Sequence, residues 1–405
     1  MDIQNYLFSI PPHKIKLGLD RTEKLLEACG NPHHKIESIQ LVGTNGKGST
    51  SSFLANGLSL KYKVGLFTSP HLVDYKERIR INANQIQEKD VLTFIETYKK
   101  DIKKIQPSFF EIMTVLAMWY FKTNNVDICI LETGLGGRLD SVTACKNSIV
   151  AFTNIDLDHQ SILGETIEKI TTEKSAAITQ HTKHVFCVTQ KTKINMLIKQ
   201  KASQFNLKIN FIDNVFEKES FLYLLGSHQQ MNASLAFDII KHTYKKNKVT
   251  FNLESIKASL LKTKWPGRFQ IINQSPDVVF DVAHNSAGIN SFVQTLETHI
   301  KEKKYTQKTL VCAFENNKKI NDQINSLTKH FDEIICVETG IKKSMRAQSL
   351  ALMFNSHKAK HDYSINAAFK KIKGITEKKH LICIIGTHYF GPFIHNLYNK
   401  SFAKI

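Results

Sequence analysis

The 405-residue chain carries 55 Lys and Arg against 36 Asp and Glu, a net charge of +19, with 42% apolar residues and only 8 Pro and 18 Gly. That length suffices for two or three domains with buried cores, and the proportions exclude a disordered, collagen-like or low-complexity chain. The charge comes from 49 Lys and only 6 Arg spread along the chain. It describes a solvated surface rather than a nucleic-acid reader, which would use the bidentate fork of Arg more freely.

Met1–Lys14 has Asp2 and no basic residue ahead of an apolar core, and Pro11-Pro12 interrupt it, so it lacks the pattern of a signal peptide. Short β-branched runs then alternate with helical patterns, which predicts an α/β fold with parallel sheets and helices on both faces. Strands are expected at Ile39–Val42, Val64–Phe67, Val126–Glu132, Ile149–Thr153 and Val185–Val188. A second set is expected at Val278–Val282, Leu310–Ala313, Ile334–Val337 and Leu381–Ile385. Between the sets, Pro266-Gly267 breaks helical continuity, which places a boundary near Thr263–Gly267. The expected domains are a large one, 1–263, and a smaller one, 264–405. The uncharged stretch Leu381–Asn399 contains Gly386, Gly391 and Pro392 and falls short of a membrane span. Seven cysteines form no C-x-x-C pair, so buried, reduced thiols in the cytosol are expected.

The first chemistry follows the first strand. Gly43-Thr44-Asn45-Gly46-Lys47-Gly48-Ser49-Thr50 opens a helix-compatible run. Strand, Gly-rich turn and helix N-terminus together make an anion site, because free N–H groups and the positive dipole end point at a phosphate. Lys47 would sit among phosphate oxygens and a nearby hydroxyl could meet Mg²⁺. The loop is a variant: Leu41 stands where the common pattern has its first Gly, and Gly43 and Gly48 are additional.

Other motifs fall where parallel strands should end, the usual ligand side of such sheets. These are Thr68-Ser69-Pro70-His71, then Glu132 with Gly134–Asp140, then Asp156-Leu157-Asp158-His159 and Glu173-Lys174. Hydroxyl, carboxylate and imidazole are Mg²⁺ ligands if they converge. Each also has a plainer reading: Glu132 as a helix cap, His159 as a helix-start hydrogen-bonder, Ser69-Pro70 as a turn.

Seven ordered segments carry a resemblance: GTNGKGS (43–49), TSPHL…ERI (68–79), LETGLGGRLD (131–140), LDHxxxLG (157–164), HQxxNA (228–233), PGRFQ (266–270) and DVAHN (281–285). The chain resembles the folylpolyglutamate synthase/dihydrofolate synthase family of the Mur ligase superfamily. The bifunctional bacterial enzymes are the nearest in pattern, with a monofunctional folylpolyglutamate synthase as the alternative. The fold this implies is a P-loop-type ATPase domain with an N-terminal pterin loop, followed by a Rossmann-like α/β glutamate-ligase domain.

The activity it implies is ATP- and Mg²⁺-dependent addition of L-glutamate to dihydropteroate and to tetrahydrofolates. A carboxylate is a poor electrophile at neutral pH, so an acyl phosphate is made first, and phosphoryl transfer then asks mainly for positioning and charge neutralisation.

By that resemblance Thr44, Asn45, Gly46, Lys47, Gly48 and Ser49 hold the phosphates, and Asn232, Arg268 and Asp281 grip ATP. Ser69, Glu132 and His159 ligate Mg²⁺, with two metal sites expected. Lys174 would be a carbamylated lysine at the second metal, its plainer reading being an exposed helix lysine. His284 would orient glutamate or the acyl phosphate, its plainer reading being a helix-start histidine. The pterin would be met by Ile15, Lys16 and Leu17, by Ser108, Phe109, Phe110 and Glu111, and by Leu139, Asp140 and Ser141. Phe109 and Phe110 also open an apolar helix, so core packing competes with pterin stacking there.

The sequence departs from the family at Ser141-Val142-Thr143, at Ser286 in place of the usual Pro, and at Glu315–Lys319. A cell-wall Mur ligase would need a nucleotide-sugar domain, for which the roughly 38 residues before the first strand leave no room. A nucleic-acid-dependent ATPase would need clustered cations with interleaved aromatics, which the sequence lacks. The partners expected are therefore small molecules, with neither nucleic acid nor membrane, for a cytoplasmic monomer.

Overall fold

A computed structural model describes residues 18–403 other than Lys218. The chain divides into two compact units: one runs through Glu219 and takes in Gln230–Thr263, and the other comprises Ser220–Gln229 and Lys264–Phe402.

The first unit is built on eight strands: β1 (Glu37–Val42), β2 (Val64–Phe67), β3 (Ile79–Ile81), β4 (Asn84–Gln85), β5 (Ile128–Glu132), β6 (Ile149–Phe152), β7 (His184–Val188) and β8 (Ile209–Ile212). Their order is β4-β3-β2-β5-β1-β6-β7-β8, parallel from β2 to β8, with β3 and β4 antiparallel at one edge. The central strands are buried along nearly their whole length, as continuous apolar runs covered on both faces require. Register sets Leu41 opposite Glu132 and Val42 opposite Phe152, so β1, β5 and β6 end level.

One apolar cluster contains Cys129 and Leu131 of β5 with Leu116 and Phe121 of the helix Phe109–Thr123. A capping box starts that helix: Ser108 Oγ accepts the Glu111 N–H, and Glu111 accepts the Ser108 N–H. A second cluster joins Val150 and Phe152 of β6 to Ile170 and Ile198, from the helices Ile167–Ser175 and Thr192–Ser203.

The second unit has six strands: β9 (Gln270–Asn273), β10 (Asp277–Asp281), β11 (Gln307–Cys312), β12 (Glu333–Cys336), β13 (Ala359–Lys360) and β14 (His380–Ile385). Their order is β13-β12-β11-β14-β10-β9, and only β9 runs antiparallel. Both sheets agree with the expected α/β architecture, a P-loop-type unit followed by a Rossmann-like one. The nine expected strands are present within a few residues of their predicted ends. The strands not foreseen are β3, β4, β8, β9 and β13. They have two to four residues each and lie at or next to sheet edges, where alternation is too brief to register.

All seven cysteines are buried and free of disulfides. Among the described residues no helix is long and apolar enough to cross a membrane.

Gly386 directly follows β14 with φ 107°, and a Cβ there would fall 2.1 Å from the Ala313 carbonyl oxygen. Backbone cannot yield as a flexible side chain would, so Gly386→Ala should cost about 2–4 kcal/mol of stability. The measurement is the urea midpoint by circular dichroism; an unchanged midpoint would contradict the close approach.

Candidate active site

β1 delivers the chain into Gly43–Gly46, and the helix Lys47–Leu58 begins at once. The loop that follows β6 runs directly alongside. Thr44 donates its N–H to the Asn154 carbonyl at 2.7 Å, and its hydroxyl donates to the Asp156 carbonyl at 2.9 Å. A Cβ on residue 43 would lie 1.9 Å from Thr153 Oγ1, so only glycine fits. Gly46 takes φ 89°, and a Cβ there would meet Asn232 Oδ1 at 2.5 Å. This brings Asn232 to the loop, although it stands 186 positions after Gly46 in the chain. Lys47 folds back over the turn, donating from Nζ to the Gly43 and Thr44 carbonyls at 3.0 and 3.1 Å. The Ser49, Thr50 and Ser51 hydroxyls in the first turns of the helix are buried without hydrogen-bond partners. Orphaned hydroxyls on a helix N-terminus are unsatisfied donors for an anion, and the residues therefore fit a phosphate group.

Ser69 follows β2, and Glu132 ends the adjacent β5. The Ser69 N–H donates to Glu132 Oε2 at 3.0 Å, which brings these two sites together. The buried Glu132 carboxylate thus bonds across strands rather than capping a helix. His159 has φ 51° and occupies the N-cap of the helix Gln160–Leu163, so its backbone takes the helix-start role. Its ring stays partly exposed, with Nε2 4.0 Å from Asp158 Oδ2.

Lys174 is only 5% exposed, which excludes the surface-lysine reading. Its Nζ donates to the Gly43 carbonyl at 2.8 Å. Burial first, then the nearby Lys47 charge, depress its pKa from 10.5 to about 7, against the pull of Asp158 and Asp140. Gly137 passes so close that a Cβ would strike the Lys174 carbonyl at 2.5 Å.

Among the described residues no cluster of three His, Cys, Asp or Glu is spaced to hold a metal. A divalent ion here would depend on a mixed set of Ser69 hydroxyl, Glu132 carboxylate and His159 imidazole. That donor chemistry is oxygen-rich and suits Mg²⁺.

The helix Phe109–Thr123 ties two expected substrate segments together. Thr114 Oγ1 and Ser141 Oγ are 2.7 Å apart, and the Phe110 ring lies against Phe67 and against Gly134, where a Cβ would meet it at 2.6 Å. Phe109 lies under the Arg78 guanidinium, 5.2 Å from its ring centroid. Phe109 and Phe110 are only partly buried, so each combines packing with an exposed edge. Glu111 already has partners, since Arg21 forks onto both its oxygens at 3.1 and 3.2 Å. Asp140 is buried and accepts the Leu135 and Val142 N–H groups; burial lifts its pKa to about 6. Leu139 is half-buried. Ile15, Lys16 and Leu17 lie outside the described residues.

In the second unit Asp281 ends β10, its carboxylate accepting the Phe269 and Ala283 N–H groups at 2.7 Å each. Burial raises its pKa, while Arg268 opposes the shift. Arg268 also donates to the Gly267 carbonyl at 3.0 Å. His284 pairs Nδ1 with the Val282 carbonyl at 2.8 Å, just ahead of the helix Ser286–Glu302, whose N-cap is Asn285. Three groups within the motifs received no individual role from the sequence. His228 is half-buried near Arg268 and driven down to about 4, chiefly by desolvation. His71 accepts from Arg78 Nε at 2.9 Å, and Asp158 pulls on Lys174. All three lie inside quoted motifs, which was the signal available.

Two families match the chain. "Mur ligase middle domain" spans residues 41–275 and "Mur ligase, glutamate ligase domain" spans 267–388. The dihydrofolate synthase/folylpolyglutamate synthase of Bacillus subtilis is 32% identical over 313 residues, 70% of this chain and 73% of that protein. The folylpolyglutamate synthase of Mycobacterium tuberculosis, solved with ADP, superposes with a TM-score of 0.88 at 22% identity, covering 98% of each chain. A bifunctional folylpolyglutamate synthase/dihydrofolate synthase solved with Mn, AMPPNP and L-glutamate superposes at 0.84 and 23% identity, again over 98% of each.

Gly46→Ala should weaken ATP binding about tenfold or more, since positive φ and the Asn232 contact both oppose a side chain. Titration calorimetry checks this, with circular dichroism confirming an intact fold; wild-type affinity would remove residue 46 from the phosphate loop.

Proposed function

We infer, for a chain that belongs to the Mur ligase family and to its dihydrofolate synthase/folylpolyglutamate synthase branch, an ATP-dependent ligase that joins L-glutamate to dihydropteroate and to reduced folates. The observation that carries this reading is the seating of buried Lys174 on Gly43, the first residue of the phosphate loop. It puts a buried amine beside an anion site, at strand ends that also present Glu132 and Ser69.

The chain's own groups do recognisable work. The loop N–H groups, Lys47 and the Ser49 hydroxyl bind phosphate and disperse its charge, so that a substrate carboxylate oxygen can be phosphorylated and then leave as phosphate. Ser69, Glu132 and His159 would hold Mg²⁺, which when bound shields the phosphate charge from the incoming carboxylate. A carbamate on Lys174 would turn a cation into an anionic oxygen ligand for a second ion. His284 steers the amine of glutamate, its ring held by the Nδ1–H that donates to the Val282 carbonyl. Phe110, Leu139 and Ser141 form part of the pterin surface, with Ser108, Glu111 and Asp140 fixing the turns that present it. The functional division follows residues 1–263 for ATP and pterin and 264–405 for glutamate. The enzyme acts as a cytoplasmic monomer on small molecules alone.

The test is phosphate release from ATP and Mg²⁺ with L-glutamate, using dihydropteroate and then a reduced folate as acceptor. Turnover should require glutamate and either acceptor. Turnover with the folate alone would assign the monofunctional alternative, and release independent of any acceptor would overturn the ligase. Lys47→Ala should abolish turnover in the same assay.

Lys174→Ala should lower kcat about 10–100-fold, with partial rescue by short carboxylic acids. Carbamate forms from the neutral amine, whose nitrogen attacks CO₂ and releases a proton. With a pKa of about 7, the amine is protonated below that pH and neutral above it. The ¹³C signal from labelled bicarbonate should therefore grow through pH 7 and level off above it. Near-wild-type turnover of Lys174→Ala, with no carbamate signal in the parent, would remove the carbamate.

A further inference from the structure

The parallel strands of the first unit also have amino-terminal ends, and there the chain forms a second concavity. An open cavity of about 600 Å³ is lined by Ile36 and Glu37 at the start of β1, by Lys146 and Ser148 ahead of β6, and by Lys183 ahead of β7. It therefore lies at the other edge of the sheet from Gly43, Glu132 and His159. Its size suits a small ligand.

The lining is one-sided in charge. Lys35, Lys146, Lys183 and Lys246 contribute four cations, and Glu37, the one carboxylate among the lining residues, is ion-paired to Lys246. Three imidazoles complete it. His34 accepts from Lys146 Nζ at 3.1 Å and packs edge-on against His33, with centroids 4.1 Å apart; His181 lies nearby. His33 is 6% exposed, and neither of its ring nitrogens has a hydrogen-bond partner. Buried polar groups are normally satisfied, so a ring with both nitrogens orphaned at the wall of a cavity marks an absent partner. The field agrees with this. Burial first, then His34, Lys146 and His181, depress the His33 pKa to about 4, and burial with Lys146 and His34 depresses that of His181.

We propose that this cavity is a binding site for a small polyanion bearing two or more phosphate groups, held by Lys35, Lys146 and Lys183 and oriented by the imidazoles of His33 and His181. Three ammonium groups besides the Lys246 paired to Glu37 converge on one concavity, which suits the clustered charge of linked phosphates, groups that Lys binds as point charges. A metal ion is disfavoured, because no ligand cluster of suitable spacing occurs among the described residues. Nucleic acid would call for cations along a surface stripe, and these surround one concavity.

The probe is inorganic triphosphate, titrated calorimetrically into the full chain carrying Lys47→Ala so that the phosphate loop contributes less. One saturable site is expected, weakened by rising KCl. Adding Lys146→Gln and Lys183→Gln should weaken it at least about tenfold, with the fold intact by circular dichroism. In the Lys47→Ala chain the ring C–H resonances of His33 and His181 should shift with occupancy. The proposal is overturned if binding is non-saturable, if the double substitution leaves affinity unchanged, or if a γ-linked triglutamate binds this site as tightly as triphosphate does. Neither Lys146 nor Lys183 belongs to the ligase machinery, so this outcome is separable from that of the turnover assay.

Discussion

The absence of a side chain at residue 43 is the condition on which the first unit's chemistry rests. With no Cβ, the backbone leaving β1 can run against Thr153 and Asn154 beyond β6, and its carbonyl can receive Lys174 and Lys47 at once. The loops after β1 and β6 and the helix Ile167–Ser175 are thereby held against one another before any ligand is considered. A methyl group there would displace all three. Preorganisation of this kind is what phosphoryl chemistry needs, since its barrier falls through placed charge rather than through protein nucleophiles. Two amines meeting at one carbonyl is electrostatically costly, and the pKa of Lys174, lowered first by burial and then by the Lys47 charge, registers part of that cost.

The arginines have another use than the composition suggests. Only six stand in the sequence, and a planar fork is suited to gripping a substrate's carboxylate or phosphate. Arg21 instead grips the chain's own Glu111, and Arg138 grips Glu173, each with paired contacts near 3 Å. Arg80 is 1% exposed and donates to the Glu77 and Ala83 carbonyls. These forks stiffen the turns that present the site. Planar, always-charged donors suit that task, because a flexible ammonium would fix a turn less firmly.

Much of the fold was legible because its strands are long, apolar and regularly interrupted. The glycine loop and the strand-end motifs were legible because their chemistry is local in sequence. Lys174 was legible only through the resemblance: one lysine among 49 carries no mark of its own, and its burial is what the structure adds. Glu111 shows the converse. The resemblance sets it at the pterin, and in the structure the Ser108 cap and Arg21 already engage its carboxylate. The lysine cluster at the amino-terminal strand ends was invisible for a topological reason. Residues 35, 146, 183 and 246 are scattered along the chain, and it is the strand order β1-β6-β7 that brings the segments bearing the first three together.

The buried cysteines have a consequence of their own. Desolvation pushes Cys29 and Cys187 up to about 12 and Cys129, Cys312 and Cys383 well above the ordinary thiol value, so little thiolate exists at neutral pH. Thiol reagents and oxidants attack the thiolate, and in the closed protein they meet almost none. Labelling must therefore wait for the chain to open. Because Cys29, Cys129, Cys145 and Cys187 lie in the first unit and Cys312, Cys336 and Cys383 in the second, the order in which they react is a native clock of which unit opens first.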